Sequence, residues 1–285
     1  MLLFPNARIT LGLRVTHRRR DGFHDIEAMM LPIPLYDALE AIPSPDGKLH
    51  FSLSGLPVPD DGRPNLCLQA HSLIEKELTH RRNYGEPCHL PPLHIHLHKN
   101  IPPGAGLAGG SADASFMLKL LNTFLKPQLT TGELTSYAEK LGSDCPFFVQ
   151  NRPALASGRG TILKNCDTPP DILKHYLVII VPKIHISTSE AYKRIQPKTP
   201  PKPLAELLQQ PISEWQGNVI NDFEAVVFDM HPEIADIKNR MYENGAVYAS
   251  LSGSGSAVFG LFRKSEDVKK VAATEMACSY TFMLL

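Results

Sequence analysis

The chain alternates between two hydrophobic rhythms, and the switches between them predict its elements. Residues 2–15 and 36–54 carry apolar positions at the strand period, and "PSPDG" (43–47) interrupts the second run with a turn signal. In "PNLCLQAHSLIEKEL", Leu66, Ala70, Leu73, Ile74 and Leu78 recur at helical spacing, with Pro64 just ahead. "PLHIHLHK" alternates throughout, which predicts a strand with one buried and one exposed side. A helix is expected over 111–125, and another over "TGELTSYAEKLG", opened by a threonine cap and stopped at Gly142. "YLVIIVP" reads as a buried strand. The last third reads helix (232–243), strand (246–251), the loop "SGSGS", strand (257–262), helix (265–277) and a final strand. The proline-rich "QPKTPPKPLAELLQQP" (196–211) reads as a hinge or insertion. This order predicts a two-lobed α+β protein with a boundary near 155–175, an N-terminal lobe over 1–160 and a C-terminal lobe over 161–285.

Composition narrows the partners. Among 285 residues, 29 basic and 29 acidic side chains cancel, which argues against a general affinity for nucleic acid or an anionic membrane. Five scattered cysteines without C-x-x-C spacing are expected to be reduced thiols of a cytoplasmic protein. "MLLFPNARITLG" has too short an apolar run for a signal peptide, and no stretch reaches the roughly 20 apolar residues of a membrane span.

The chemistry gathers at "NIPPGAGLAGGSADAS" (100–115). A strand, a glycine-rich turn and a helix start make an anion site, because backbone N–H groups and the helix dipole face a space clear of side chains. The loop lacks G-K-[ST], so it is no P-loop. "GAGLAG" spells G-x-G-x-x-G, but the strand before it is half exposed and another helix follows where a dinucleotide fold needs a strand ending in an acid. The H-R-D and D-F-G sequences of protein kinases are absent.

"PPGAGLAGGSADAS" resembles the phosphate loop of the superfamily of galactokinase, homoserine, mevalonate and phosphomevalonate kinases. Three further stretches resemble blocks of one family within it, the 4-diphosphocytidyl-2-C-methyl-D-erythritol kinases: "NARITLGLRVTHRRRDGFHDIE", "LGSDCPFF" and "SLSGSGSAVFGLF". The four blocks run in the family's order from residue 6 to 262, and the D-G-[FY]-H block is specific to this kinase. The resemblance implies a ribosomal-S5-like N-terminal lobe and a ferredoxin-like C-terminal lobe. It also implies ATP and Mg²⁺ as cofactors, and transfer of the γ-phosphoryl to the 2-hydroxyl of a cytidine-diphosphate-linked methylerythritol. A kinase for another small alcohol and an inactive binding homologue stay open as alternatives. A monomer or homodimer is expected.

Residue roles follow from the same resemblance. Asp144 matches the base that takes the hydroxyl proton, and Arg8 stands where the family has its supporting lysine. Pro103, Gly104, Ala105, Gly106, Leu107, Ala108, Gly109, Gly110, Ser111, Ala112 and Asp113 match the ATP phosphate loop, with Ser111 a candidate Mg²⁺ ligand. Asn65 and Lys99 match positions of the adenosine pocket; read from the residues alone, they are a helix cap and a solvated strand end. Phe23 and His24 match the pair that holds the cytosine, Tyr192 a second aromatic, and Thr10, Gly253 and Ser254 other substrate positions. Ala108 replaces a glycine and is admissible where φ is negative. His94, His96 and His98 share one strand face; i to i+4 spans roughly 13 Å, too far for one small ion, so a solvated face is expected.

Overall fold

A computed structural model describes residues 1–60, 62–83, 90–274 and 278–283. Cys88 and the last three residues of the helix expected over 265–277 lie outside the described residues. The chain forms two units interleaved in sequence. One holds residues 1–7, 35–103 and 108–151; the other holds 8–34, 104–107 and 152–285.

In the first unit a four-stranded sheet runs in the order Leu2–Leu3, Ala38–Pro43, Leu93–Lys99, His50–Gly55. Its last pair is parallel, with His50 opposite His94, and the others are antiparallel. The alternation of Leu93–Lys99 holds: Leu93, Ile95, Leu97 and Lys99 are buried. Leu93, Ile95, Leu97 and Leu39 share a core with helices Leu66–Asn83, Gly109–Asn122, Thr131–Leu141 and Cys145–Gln150, through Ala70, Ile74, Leu118, Leu121, Leu134 and Val149. Burying each large aliphatic side chain contributes about 1.5–3 kcal/mol, so this face fixes the register of the strand that leads into the glycine loop. A threonine does cap this helix, one residue before the Thr131 that opens the expected stretch: the Thr130 hydroxyl accepts from the Glu133 N–H, and Glu133 accepts from the Thr130 N–H.

The second unit contains two four-stranded sheets. One runs Asn6–Arg18, His24–Tyr36, Ala154–Ser157, Ile162–Asn165; the other runs Ala246–Leu251, Val258–Phe262, Tyr176–Val181, Cys278–Met283 and is antiparallel throughout. Helix Pro232–Glu243 packs Ile234, Ile237 and Met241 into the core with Val178, Ile180, Val258 and Phe262. The strand His24–Tyr36 lies almost wholly outside the strands expected from the sequence; it accommodates Pro32 and Pro34 toward its end. The proline-rich tract also differs from expectation. It is anchored, with Leu204 and Leu208 buried, the Leu204 N–H donating to Glu27 (2.7 Å) and Arg14 donating to the Lys202 carbonyl (2.6 Å). It is not built as a hinge.

Candidate active site

The glycine loop is held in two different ways along its length. Its first half, Gly104–Leu107, is bolted down within the second unit. The Arg8 N–H donates to the Leu107 carbonyl (3.0 Å), and the Ala257 N–H to that of Ala105 (3.0 Å). The Gly106 carbonyl accepts from both the Arg8 guanidinium (3.2 Å) and the Ser252 hydroxyl (2.9 Å). Gly106 has φ of 78°, and a Cβ there would lie 2.1 Å from the Ser252 carbonyl oxygen, so only glycine fits. Arg8 is buried in strand Asn6–Arg18 and also donates to the Thr10 hydroxyl at 2.7 Å, which fixes the guanidinium under the loop. Gly253 (φ 56°) belongs to the same arrangement: a Cβ there would meet the Gly106 carbonyl at 3.2 Å and the Arg8 guanidinium at 3.6 Å.

Beyond Leu107 the chain enters helix Gly109–Asn122, within the first unit. Its N-cap, Ala108, has φ of 58° and ψ of 28°, and its side chain makes no cap hydrogen bond. The condition that alanine needs a negative φ here therefore does not hold. Ala108 takes a left-handed conformation at a cost of about 1–2 kcal/mol. A left-handed residue followed by helical ones points successive N–H groups outward, the nest that receives anions, and the first helical N–H groups have no acceptor within their own helix. Gly109 and Gly110 do not take positive φ, so their bareness has another cause. A Cβ on Gly109 would strike Ile101 at 2.7 Å; one on Gly110 would meet only Leu66, at 3.5 Å, among the described residues. Gly109 lets the helix start pack close, and Gly110 leaves open space at the helix start. That space and the uncapped nest fit phosphate oxygens.

The same helix start is tied to the turn that carries Asp144. Ser115 donates to the Cys145 carbonyl (2.7 Å), and the Ser111 hydroxyl hydrogen-bonds the Cys145 side chain. Asp144 occupies the N-cap position of helix Cys145–Gln150 but makes no side-chain cap bond there, so its carboxylate is not consumed in capping. Ala112 is fully buried and contributes packing.

Lys99 overturns the solvated reading. It is buried against Asp37 and Asp113, with Asp113 at 2.6 Å. Burial opposes its ammonium, but the two carboxylates prevail and raise its pKa. Two carboxylates share one cation here. Burial above all, together with Asp37, pushes the Asp113 carboxyl up to about 7, and its Oδ1 is buried without a hydrogen-bond partner. Asp37 Oδ1 also accepts from the Asn100 and Ile101 N–H groups (2.6 and 2.8 Å), so the triad fixes the entrance to the glycine loop. Both Lys99 and Asp113 are committed to this pairing. Asn65 is the helix cap its sequence suggests: its side-chain oxygen accepts from the Cys67 N–H at 2.9 Å.

The aromatic residues assemble within the second unit. The His24 and Tyr192 rings stack at 5.1 Å and 16°, and Phe223 meets Tyr192 edge-on at 4.8 Å. Burial, then the charge of Arg18, lowers the His24 pKa, so its imidazole is neutral near pH 7 and can both donate and accept. Phe23 is exposed, and the Arg159 guanidinium lies 3.4 Å over its ring. Arg159 was missed by sequence reasoning, although "GRG" at a turn is a visible signal. Asn221 was missed too; its side-chain amide donates to the Leu251 and Gly253 carbonyls (2.9 and 2.8 Å) and holds the second glycine loop. Ser254 exchanges a hydrogen bond with Thr188 (2.8 Å).

A glycine loop leading into an uncapped helix, supported by a second glycine loop, defines a small-molecule kinase of the GHMP class. Family models described as "GHMP kinases N terminal domain" and "GHMP kinases C terminal" match residues 65–152 and 202–274. Solved mevalonate kinase (TM-score 0.70, 13% identity, 99% of this chain and 98% of that one) shares the fold. Within that class the chain belongs to the 4-diphosphocytidyl-2-C-methyl-D-erythritol kinase family. It is 44% identical to the Bacteroides fragilis (strain YCH46) member over 99% of both chains, and 46% identical to that of Azobacteroides pseudotrichonymphae over 93% of this chain and 94% of that one. A crystal structure of 4-(cytidine 5'-diphospho)-2C-methyl-D-erythritol kinase aligns with TM-score 0.79 and 29% identity, covering 99% of this chain and 98% of that one. The chain is an ATP-dependent small-molecule kinase, and among the described residues no helix is long and apolar enough to cross a membrane.

Proposed function

We propose that this kinase transfers the γ-phosphoryl of ATP to the 2-hydroxyl of 4-diphosphocytidyl-2-C-methyl-D-erythritol, a step in non-mevalonate isoprenoid precursor synthesis. The observation that carries the reading is the Phe23–His24 pair with its stacked Tyr192, a set suited to a pyrimidine. A neutral His24 can hydrogen-bond the polar edge of cytosine, and Phe23 or Tyr192 offers a ring face for stacking. Thr10, Gly253 and Ser254 complete the proposed substrate positions.

The acceptor hydroxyl is too weak an acid to ionise unaided near neutral pH. Asp144 takes its proton as the new O–P bond forms, and that proton stays on the carboxylate until product leaves. Arg8, permanently charged, stabilises the developing charge on transferring oxygens. Residues 103–111 provide the phosphate cradle, with backbone N–H groups at the start of helix Gly109–Asn122 as donors; the buried Lys99–Asp113 pairing and the Asn65 cap act on it by holding the strand and helix that frame the adenosine side. Ser111 supplies a hard hydroxyl oxygen suited to Mg²⁺, which would neutralise phosphate charge when bound.

A coupled assay of ADP release, run with the cytidyl substrate, mevalonate and homoserine in parallel, tests the reading. Turnover is expected with the cytidyl compound alone. Equal activity on mevalonate or homoserine would move the chain to another member of the class, and no turnover with any of them would make it a binding homologue.

A further inference from the structure

Outside the kinase machinery, the outer face of the first unit's sheet carries a row of histidines. Spacing along their strand argues against one ion bridging His94, His96 and His98, since alternate residues lie about 6.6 Å apart. Across strands the distances are shorter. The parallel register sets His50 directly opposite His94, and neighbouring strands lie about 4.7–4.9 Å apart. The two imidazole rings stand 4.2 Å apart, edge to face. Asp46, in the turn before His50, places Oδ2 at 2.8 Å from His50 Nε2. One ligand atom from each of Asp46, His50 and His94 lies within 4.8 Å of the others.

The rest of the row is otherwise engaged. His96 is bracketed by the Ser52 and Ser54 hydroxyls at 2.8 and 2.9 Å, and His98 meets Ser54 at 2.9 Å. The face thus divides into a serine–histidine ladder and one group of two imidazoles and a carboxylate.

We propose that Asp46, His50 and His94 form a surface site for a borderline divalent transition metal such as Zn²⁺, with water completing the coordination. Two imidazoles and one carboxylate are the donor set such ions take at three protein positions. Metal–ligand bonds of about 2.0–2.2 Å require donors about 3.3–3.5 Å apart, so small side-chain rotations close the group around an ion. The ion would clasp the 43–47 turn to the neighbouring strand. The site takes no part in the proposed phosphoryl transfer and does not rest on it.

Isothermal titration of zinc chloride into the full chain without nucleotide, repeated with Co²⁺ as a spectroscopic probe, tests the proposal. Wild type is expected to bind zinc at a site that His50→Ala, His94→Ala and Asp46→Asn each weaken by about tenfold or more. His98→Ala should leave the affinity unchanged. Melting curves of the variants without metal separate misfolding from ligand loss. Absence of zinc binding by wild type overturns the proposal, as does unchanged affinity in a folded His50→Ala/His94→Ala double variant.

Discussion

The two halves of the glycine loop use the same residue type for different physical reasons. In Gly104–Leu107 the backbone itself is committed: Gly104 and Gly106 take positive φ, and Gly106 presses its missing Cβ against a carbonyl. In Ala108–Ser111 the one left-handed residue is an alanine, while Gly109 and Gly110 are ordinary helix. Glycine serves conformation and close approach in the first half, and room in the second. Ala108 separates the two effects further. An alanine holds this left-handed position, so a positive φ alone does not dictate glycine here.

Substitutions should grade accordingly. Gly106→Ala adds a left-handed penalty of about 1–2 kcal/mol to an overpacking cost of about 1–3 kcal/mol, because backbone rather than a side-chain tip stands 2.1 Å away. A thermal melt should show a large loss of stability; an unchanged Tm would mean the clamp from Ser252 is not as described. Gly109→Val should cost less, about 1–3 kcal/mol, since Ile101 is buried and its N–H is tied to Asp37. Gly110→Val should leave stability within about 1 kcal/mol of wild type, glycine being the poorer helix former. It should nonetheless abolish ADP binding by filling the space we assign to phosphate. Normal ADP affinity in folded Gly110→Val would refute the cradle.

Much of this was legible in the sequence, and the exceptions have physical causes. The strand Leu93–Lys99, the capped helix at Thr130 and the last strands follow from local periodicity. Lys99 could have been found too, since it shares parity with Leu93, Ile95 and Leu97; its charge suggested solvent, and only its ion partners Asp37 and Asp113, distant in sequence, make burial tolerable. The φ of Ala108 was hidden because an alanine gives no sign of a left-handed backbone. The His50–His94 pair was hidden because register across parallel strands is long-range. The interleaving of the two units is long-range as well, set by which strands pair.

The pH response of substrate recognition offers a smaller test. Because burial lowers the His24 pKa, its neutral form persists below the ordinary imidazole range of about 6.5. KM for the cytidyl substrate should stay flat from pH 8 to about 6.5 and rise only in more acid solution, whereas a rise already at about pH 7 would place His24 elsewhere than on the cytosine.

The central claim is that Asp144 accepts the proton of the attacking hydroxyl while the loop separately holds the nucleotide. Asp144→Asn removes the base, keeps the size of the side chain and leaves the glycine loop intact. Steady-state kcat with the cytidyl substrate, measured beside ADP affinity by calorimetry, should fall by about 10²–10⁴-fold with ADP binding unchanged. A near-normal kcat in that variant would contradict the account, because some other group, or none, would then take the proton.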